Sequence, residues 1–317
     1  MSEEKTQVQN ARKDLDILNK MKNLPGGLVI IPLVIAVVLA TFVPQVFQIG
    51  GYVTALFYEG NACMMGFFLI VCGSMIDIKQ VGMPLYKGVI MTGTKFLLGV
   101  IVGLIVGKIC GPEGFLGIAP FVLIATITNS NGSLYISLSS QFGNATDTGA
   151  ISILSLNDGP FFTLIALGAT GLANIPIKSL IAVLVPLLIG FIWGNLDKGF
   201  RDACKTAQPI VTFFMTISIG AKTDIKTILT AGASGIVLGL ISAATAVIFF
   251  FVINLLLPKK ERNAMGAAIG TTALNSAMTP AAVAEADPSM EGMVSMATAQ
   301  CATCLLYTSP SPRDTER

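Results

Sequence analysis

Residues 128–137 read TNSNGSLYIS, one residue after the apolar run GFLGIAPFVLIAT of residues 114–126. A second polar island, TTALNSAMTP, occupies residues 271–280 inside another apolar stretch. Hydrocarbon offers no water to Asn, Ser and Thr side chains, nor to backbone freed by Gly132 or Pro280. Such residues persist in a span only where protein or a water-filled cavity satisfies them. The two islands therefore read as breaks in two membrane helices, near 129–133 and 275–280, with Gly132 and Pro280 as the breakers.

The rest of the chain supports a membrane setting. Of 317 residues, 53% are hydrophobic and 12% charged, and the mean hydropathy is +0.75. A soluble domain carries roughly 25% charged residues. The net charge of +2 gives no reason to expect a nucleic-acid partner. The absence of histidine excludes imidazole metal sites and His-dependent triads. No metal and no cofactor are expected, and nothing implies ATP use. Gly103-Leu-Ile-Val-Gly107-Lys108 is one residue short of a phosphate loop and lacks its Ser/Thr, so it reads as small-residue helix packing. Cys301-Ala-Thr-Cys304 reads the same way. Asn131-Gly-Ser133 and Asn144-Ala-Thr146 match the glycosylation pattern, but the first falls inside the membrane and the second on the cytoplasmic side.

A spanning helix takes ~20 mostly apolar residues. Stretches at about 27–43, 60–76, 86–107, 115–141, 148–172, 176–194, 207–221, 229–257, 264–286 and 292–304 give ten helices. With the N-terminus inside, thirteen Lys and Arg residues fall in the cytoplasm: 5, 12, 13, 20, 22, 79, 87, 198, 201, 205, 259, 260 and 262. Four fall outside: Lys108, Lys178, Lys222 and Lys226. That asymmetry fixes the orientation and supports the helix count.

The chain also repeats itself. Gly73-Ser-Met-Ile-Asp77-Ile-Lys79 returns as Gly220-Ala-Lys-Thr-Asp224-Ile-Lys226, Asn129-Ser130 as Asn275-Ser276, and Pro32-Leu-Val-Ile35 as Pro186-Leu-Leu-Ile189, shifted by 147, 146 and 154. A unit of five helices is odd, so its second copy enters the membrane from the opposite side, as in secondary transporters. The expected architecture is all-α. Residues 1–23 form a cytoplasmic tail, 24–173 and 174–304 two inverted five-helix repeats with broken fourth and ninth helices, and the last helix is cut short. Residues 305–317, ending in LYTSPSPRDTER, resemble a translated sequencing-adaptor tail and are read as non-native.

Several short segments carry a resemblance: Leu24-Pro-Gly-Gly27, Thr94-Lys95, Asn131-Gly-Ser-Leu-Tyr135, Ser155-Leu-Asn-Asp-Gly-Pro160 and Gly194-Asn-Leu-Asp197. In their order and spacing the chain resembles the 2-keto-3-deoxygluconate permease family from about residue 24 to 304. The resemblance implies a proton symporter for a sugar-acid anion in a bacterial inner membrane, with a fold related to bile-acid-type transporters and their crossed, broken helices. In the family pattern the acidic residue of Ser-Leu-x-x-Gly-Pro sits one position earlier, where this chain has Asn157; here the carboxylate is Asp158.

Half-helix N-termini at the breaks carry partial positive charge and suit an anion. Asn129, Asn131, Ser133, Asn275, Ser276, Thr279 and Lys95 are the candidate substrate-binding residues. Asp158, midway along the fifth helix, is the candidate proton carrier, with Lys95 as its partner. Glu59 and Glu285 sit nearer helix ends, and Asp77 and Asp224 read as helix caps. Two other readings stay open. Sodium coupling would use Asn, Ser and backbone oxygens at the breaks. An intramembrane aspartyl protease would need two cooperating carboxylates.

Overall fold

The computed structural model describes residues 15–24, 27–76, 82–157 and 159–308. Among them no strand forms, and helices follow the apolar stretches. In order they are α1 (Ile17–Lys22), α2 (Gly27–Phe42), α3 (Gly51–Phe57), α4 (Asn61–Met75), α5 (Met83–Cys110), α6 (Pro120–Thr128), α7 (Gly132–Phe142), α8 (Ala145–Leu154), α9 (Phe161–Thr170), α10 (Ile177–Leu196), α11 (Lys198–Gly220), α12 (Ile225–Leu256), α13 (Met265–Ala268), α14 (Leu274–Ala286) and α15 (Glu291–Thr308).

Three of these, α5, α10 and α12, are long and apolar enough to cross a bilayer unaided. The pairs α3/α4 and α8/α9 reach that length together, bent by 56° and 59°. The long helices expose one apolar face: Leu97, Ile101 and Ile105 on α5, and Leu240, Val247 and Phe251 on α12, are each at least half exposed. A stripe of that kind at helical spacing needs a nonpolar solvent, and lipid supplies it. The opposite face of α5 packs: a Cβ at Gly99 would lie 2.7 Å from the Thr128 methyl, and one at Gly103 would collide with Ile124. The Gly-rich run at 103–107 is thus a packing surface, as its sequence implied.

Residues matched by the sequence repeat meet equivalent partners. Gly73 of α4 abuts the Leu187 carbonyl of α10, and Gly220 of α11 abuts the Leu33 carbonyl of α2. A Cβ at Gly88 would lie 2.6 Å from Ile153 Cβ and 3.0 Å from the Ala150 carbonyl; one at Gly235 would lie 2.5 Å from Thr303 Cβ and 3.0 Å from the Gln300 carbonyl. Helices with glycine at these points come within backbone contact.

The first break falls where the sequence placed it. Helix α6 ends at Thr128, Asn129 is extended at φ −76° and ψ 145°, and α7 starts at Gly132. The second does not. Pro280 lies inside α14, and the non-helical residues are 269–273. Membrane helices tolerate proline when neighbours re-satisfy the backbone. The chain opens instead at Gly270, which abuts Ala246 of α12 so closely that a Cβ would overlap it.

Asp224 caps α12 as expected, accepting from the Thr227 N–H at 2.8 Å. Asp77 lies outside the described residues. The boundary expected at 305 falls inside α15, which runs to Thr308, with Leu305 buried. Residues 309–317 lie outside the description.

Candidate functional site

Each break reaches the helix that adjoins the other. The Thr272 hydroxyl donates to the Thr126 carbonyl at 3.2 Å. The Asn129 amide Nδ2 donates to the Ala125 carbonyl at 2.6 Å and reaches Thr279 Oγ1 at 3.5 Å. Thr126 Oγ1 and Cys301 Sγ lie 3.5 Å apart, joining α15 to the same point. Below it, the Thr128 and Thr163 hydroxyls meet at 2.9 Å. Residues 150 apart in sequence are brought together by polar contacts that only broken helices make available.

Each break begins a half-helix. Asn131 caps α7, its Oδ1 accepting from the Leu134 N–H at 3.0 Å. Helix α14 has no side-chain cap: its preceding residue is Ala273. Both N-termini carry partial positive charge. Two buried polar atoms at the first break, Asn129 Oδ1 and Ser130 Oγ, have no hydrogen-bond partner among the described residues; others without one, such as Thr92 Oγ1, Asn157 Nδ2 and Thr212 Oγ1, lie elsewhere. Each such atom costs ~1–3 kcal/mol of desolvation unless something fills its valence.

The other sequence-selected residues fall as follows. Asn275 and Ser276 are buried in the first turn of α14, Ser276 Oγ donating to the Ala273 carbonyl at 2.7 Å. Thr279 Oγ1 donates to the Asn275 carbonyl at 2.8 Å. Ser133 is in the first turn of α7, its side chain outside the description. Lys95 is 1% exposed on α5, and its Nζ donates to the carbonyls of Ile269 and, at 3.3 Å, Thr271. Asp158 lies outside the described residues. Glu285 lines a cavity of about 190 Å³ with Asn61, Lys222, Glu291 and Ser295, alongside α14 and α15.

With this geometry in hand, known proteins provide a match. The sequence model described as 2-keto-3-deoxygluconate permease matches residues 18–310. The chain belongs to the 2-keto-3-deoxygluconate permease family. It is 43% identical over 294 residues to 2-keto-3-deoxygluconate permease 1 of Salmonella typhimurium, covering 93% of this chain and 92% of that one. It is 30% identical to the 2-keto-3-deoxygluconate permease of Bacillus subtilis, covering 91% and 89%. Members of this permease family are transporters, not enzymes, and with its apolar helices the chain is a multi-pass membrane protein.

One cluster in this permease escaped the sequence reading. Lys87 and Asp147, both fully buried, pair at 2.7 Å, and Lys87 also pairs with Glu261 at 2.8 Å. Asn263 Nδ2 donates to Asp147 Oδ2 at 2.6 Å, and the Thr146 hydroxyl to Glu261 Oε2 at 2.7 Å. The Lys87 ammonium, with help from Thr146 and Asn144, pulls the Glu261 carboxyl down to about 2. The cluster ties the start of α5, the start of α8 and the turn before α13. The local signal was there: Asn144 and Asp147 form a capping box that starts α8, so the glycosylation-like pattern is a helix cap. Its partners Lys87, Asn263 and Glu261, 60, 116 and 117 residues away, left no trace in the sequence.

Proposed function

We propose that this permease imports 2-keto-3-deoxygluconate, or a similar sugar-acid anion, by proton symport, as two inverted five-helix repeats in a bacterial inner membrane with the N-terminus cytoplasmic. The observation that carries the reading is that each break hydrogen-bonds to the helix adjoining the other, where half-helix N-termini and unpartnered Asn129 and Ser130 atoms suit a carboxylate-bearing polyol. The equivalent packing of Gly73 on Leu187 and of Gly220 on Leu33, and that of Gly88 and Gly235 on their own neighbours, supports the repeat. The cavity beside Lys222 and Glu285 suits an entry route on the outer side. The Lys87–Asp147–Glu261 cluster suits a closed cytoplasmic side. Substrate would meet Asn129, Asn131, Ser133, Asn275, Ser276 and Thr279.

Asp158, next to the Ser155–Asn157 turn, is the proposed proton carrier. An anion repels its charged form in a site of low dielectric, so binding and protonation are linked. The test is labelled 2-keto-3-deoxygluconate in vesicles, with and without an imposed pH gradient, at zero sodium. Gradient-driven accumulation is expected, and Asp158→Asn should exchange substrate without concentrating it. Accumulation that needs sodium would establish the sodium-coupled reading instead.

A further inference from the structure

The second break frees a row of carbonyls, and those of residues 268–271 have side-chain donors. Thr271 Oγ1 takes the Ala268 carbonyl at 3.2 Å, and Ser242 Oγ takes the Gly270 carbonyl at 3.3 Å. The carbonyls of Ile269 and Thr271 both go to Lys95 Nζ. The ammonium also sits 5.2 Å from the Phe249 ring centroid. Lys95 thus faces two carbonyls and a ring face. Carbonyl oxygens at unwound membrane helices, set beside an aromatic face, make the kind of site that holds a small monovalent cation. A lysine ammonium is a compact charge with three donors and meets the same need.

We propose that the Ile269 and Thr271 carbonyls form a monovalent-cation site that the Lys95 ammonium fills from the opposite half of the molecule, so that Lys95 excludes free sodium and decides which ion the transporter uses. This deepens the proposed symport and rests on it. A tethered amine cannot leave the site, so the second break keeps a donor through every stage of transport. The site then requires no metal ion. Shortening the side chain uncovers both carbonyls and makes room for a free cation beside Phe249.

The test uses the full chain in detergent and in vesicles, at fixed ionic strength, with choline, sodium or methylammonium as the cation. Wild type should keep its thermal midpoint and substrate affinity within about twofold across all three, since its site is filled. Lys95→Ala should bind 2-keto-3-deoxygluconate at least tenfold more weakly in choline and recover in methylammonium or sodium, with a matching rise in midpoint. Lys95→Met, which fills the space without a donor, should be weakened in all three salts and not recover. Equal behaviour of Lys95→Ala in every salt overturns the proposal, as does a wild type that responds to sodium. If Lys95→Ala does not fold in any salt, Lys95→Met decides: a tenfold loss of binding upholds the proposal and wild-type binding overturns it. The midpoint needs no substrate. A wild type that fails to bind 2-keto-3-deoxygluconate therefore sinks the substrate assignment alone, while the salt response of Lys95→Ala still tests the cation site.

Discussion

At the break between α6 and α7, Asn129 Oδ1 and Ser130 Oγ are buried without a partner among the described residues. At the break between α13 and α14, the carbonyls of residues 268–271 all have donors, from Thr271, Lys95 and Ser242. The two segments are not matched residue for residue, since the shift of 146 carries 129–131 onto 275–277 inside α14, and they differ in how they are paired. Unfilled valences in a buried site cost stability and are kept where a ligand will fill them. Filled ones hold shape. Within the proposed function, that difference would give Asn129 and Ser130 a part in recognition and the carbonyls of 268–271 a part in holding shape.

The largest expected effect tests whether the two breaks depend on one frame. Lys87→Met leaves Asp147 buried with no cation, and removing one partner of a buried pair costs about 3–5 kcal/mol. The melting midpoint in detergent should fall steeply and transport should be lost; an unchanged midpoint would separate the breaks from the ion cluster.

Next come two substitutions that sharpen the contrast. Asn129→Ala should cut substrate binding by more than tenfold while costing about 1–2 kcal/mol of stability for its lost bonds. Ser242→Ala should cost about 1 kcal/mol and leave binding within about threefold, because it removes a donor to the Gly270 carbonyl. Binding isotherms beside thermal melts would show this crossed pattern, and its reversal would invert the assignment. Ser130→Ala is a subtler case. Deleting an unpartnered buried hydroxyl should leave stability equal or raise it by up to about 1 kcal/mol, while binding weakens.

The smallest effect lies away from both breaks. The Glu261 carboxyl is held at about 2, below its usual 4.5, mainly by its bond to Lys87. Its folded value is depressed, so its contribution to stability is complete above pH 4.5 and is lost as pH falls toward 2. Glu261→Gln should flatten the midpoint against pH across that window; an identical slope would mean that Glu261 does not anchor the cluster.

The first break was legible because its polarity is local: Asn129, Ser130 and Asn131 stand out against apolar neighbours. The second was misplaced because Pro280 is a strong local signal for a break, while the true cause is distant. Lys95 and Ser242 supply donors from 174 and 28 residues away, and Ala246 presses on Gly270. Helix positions followed hydropathy closely, as an apolar solvent requires. The Lys87 cluster was hidden for the same reason as the second break, since charges near helix ends read as solvated until their partners are seen.

The exchanged glycine contacts carry a consequence for synthesis. Gly73 of α4 seats against Leu187 of α10, so α4 waits for a chain 114 residues longer before its backbone surface is covered. At about 5–20 residues per second, that wait lasts roughly 6–23 s on the ribosome. In that interval the early helices lie in the bilayer with their small-residue faces exposed to lipid. Gly220 finds Leu33 already in place. Maturation of the bundle is therefore paced by the arrival of α10, and a ribosome stalled before residue 187 would leave half a molecule unable to close.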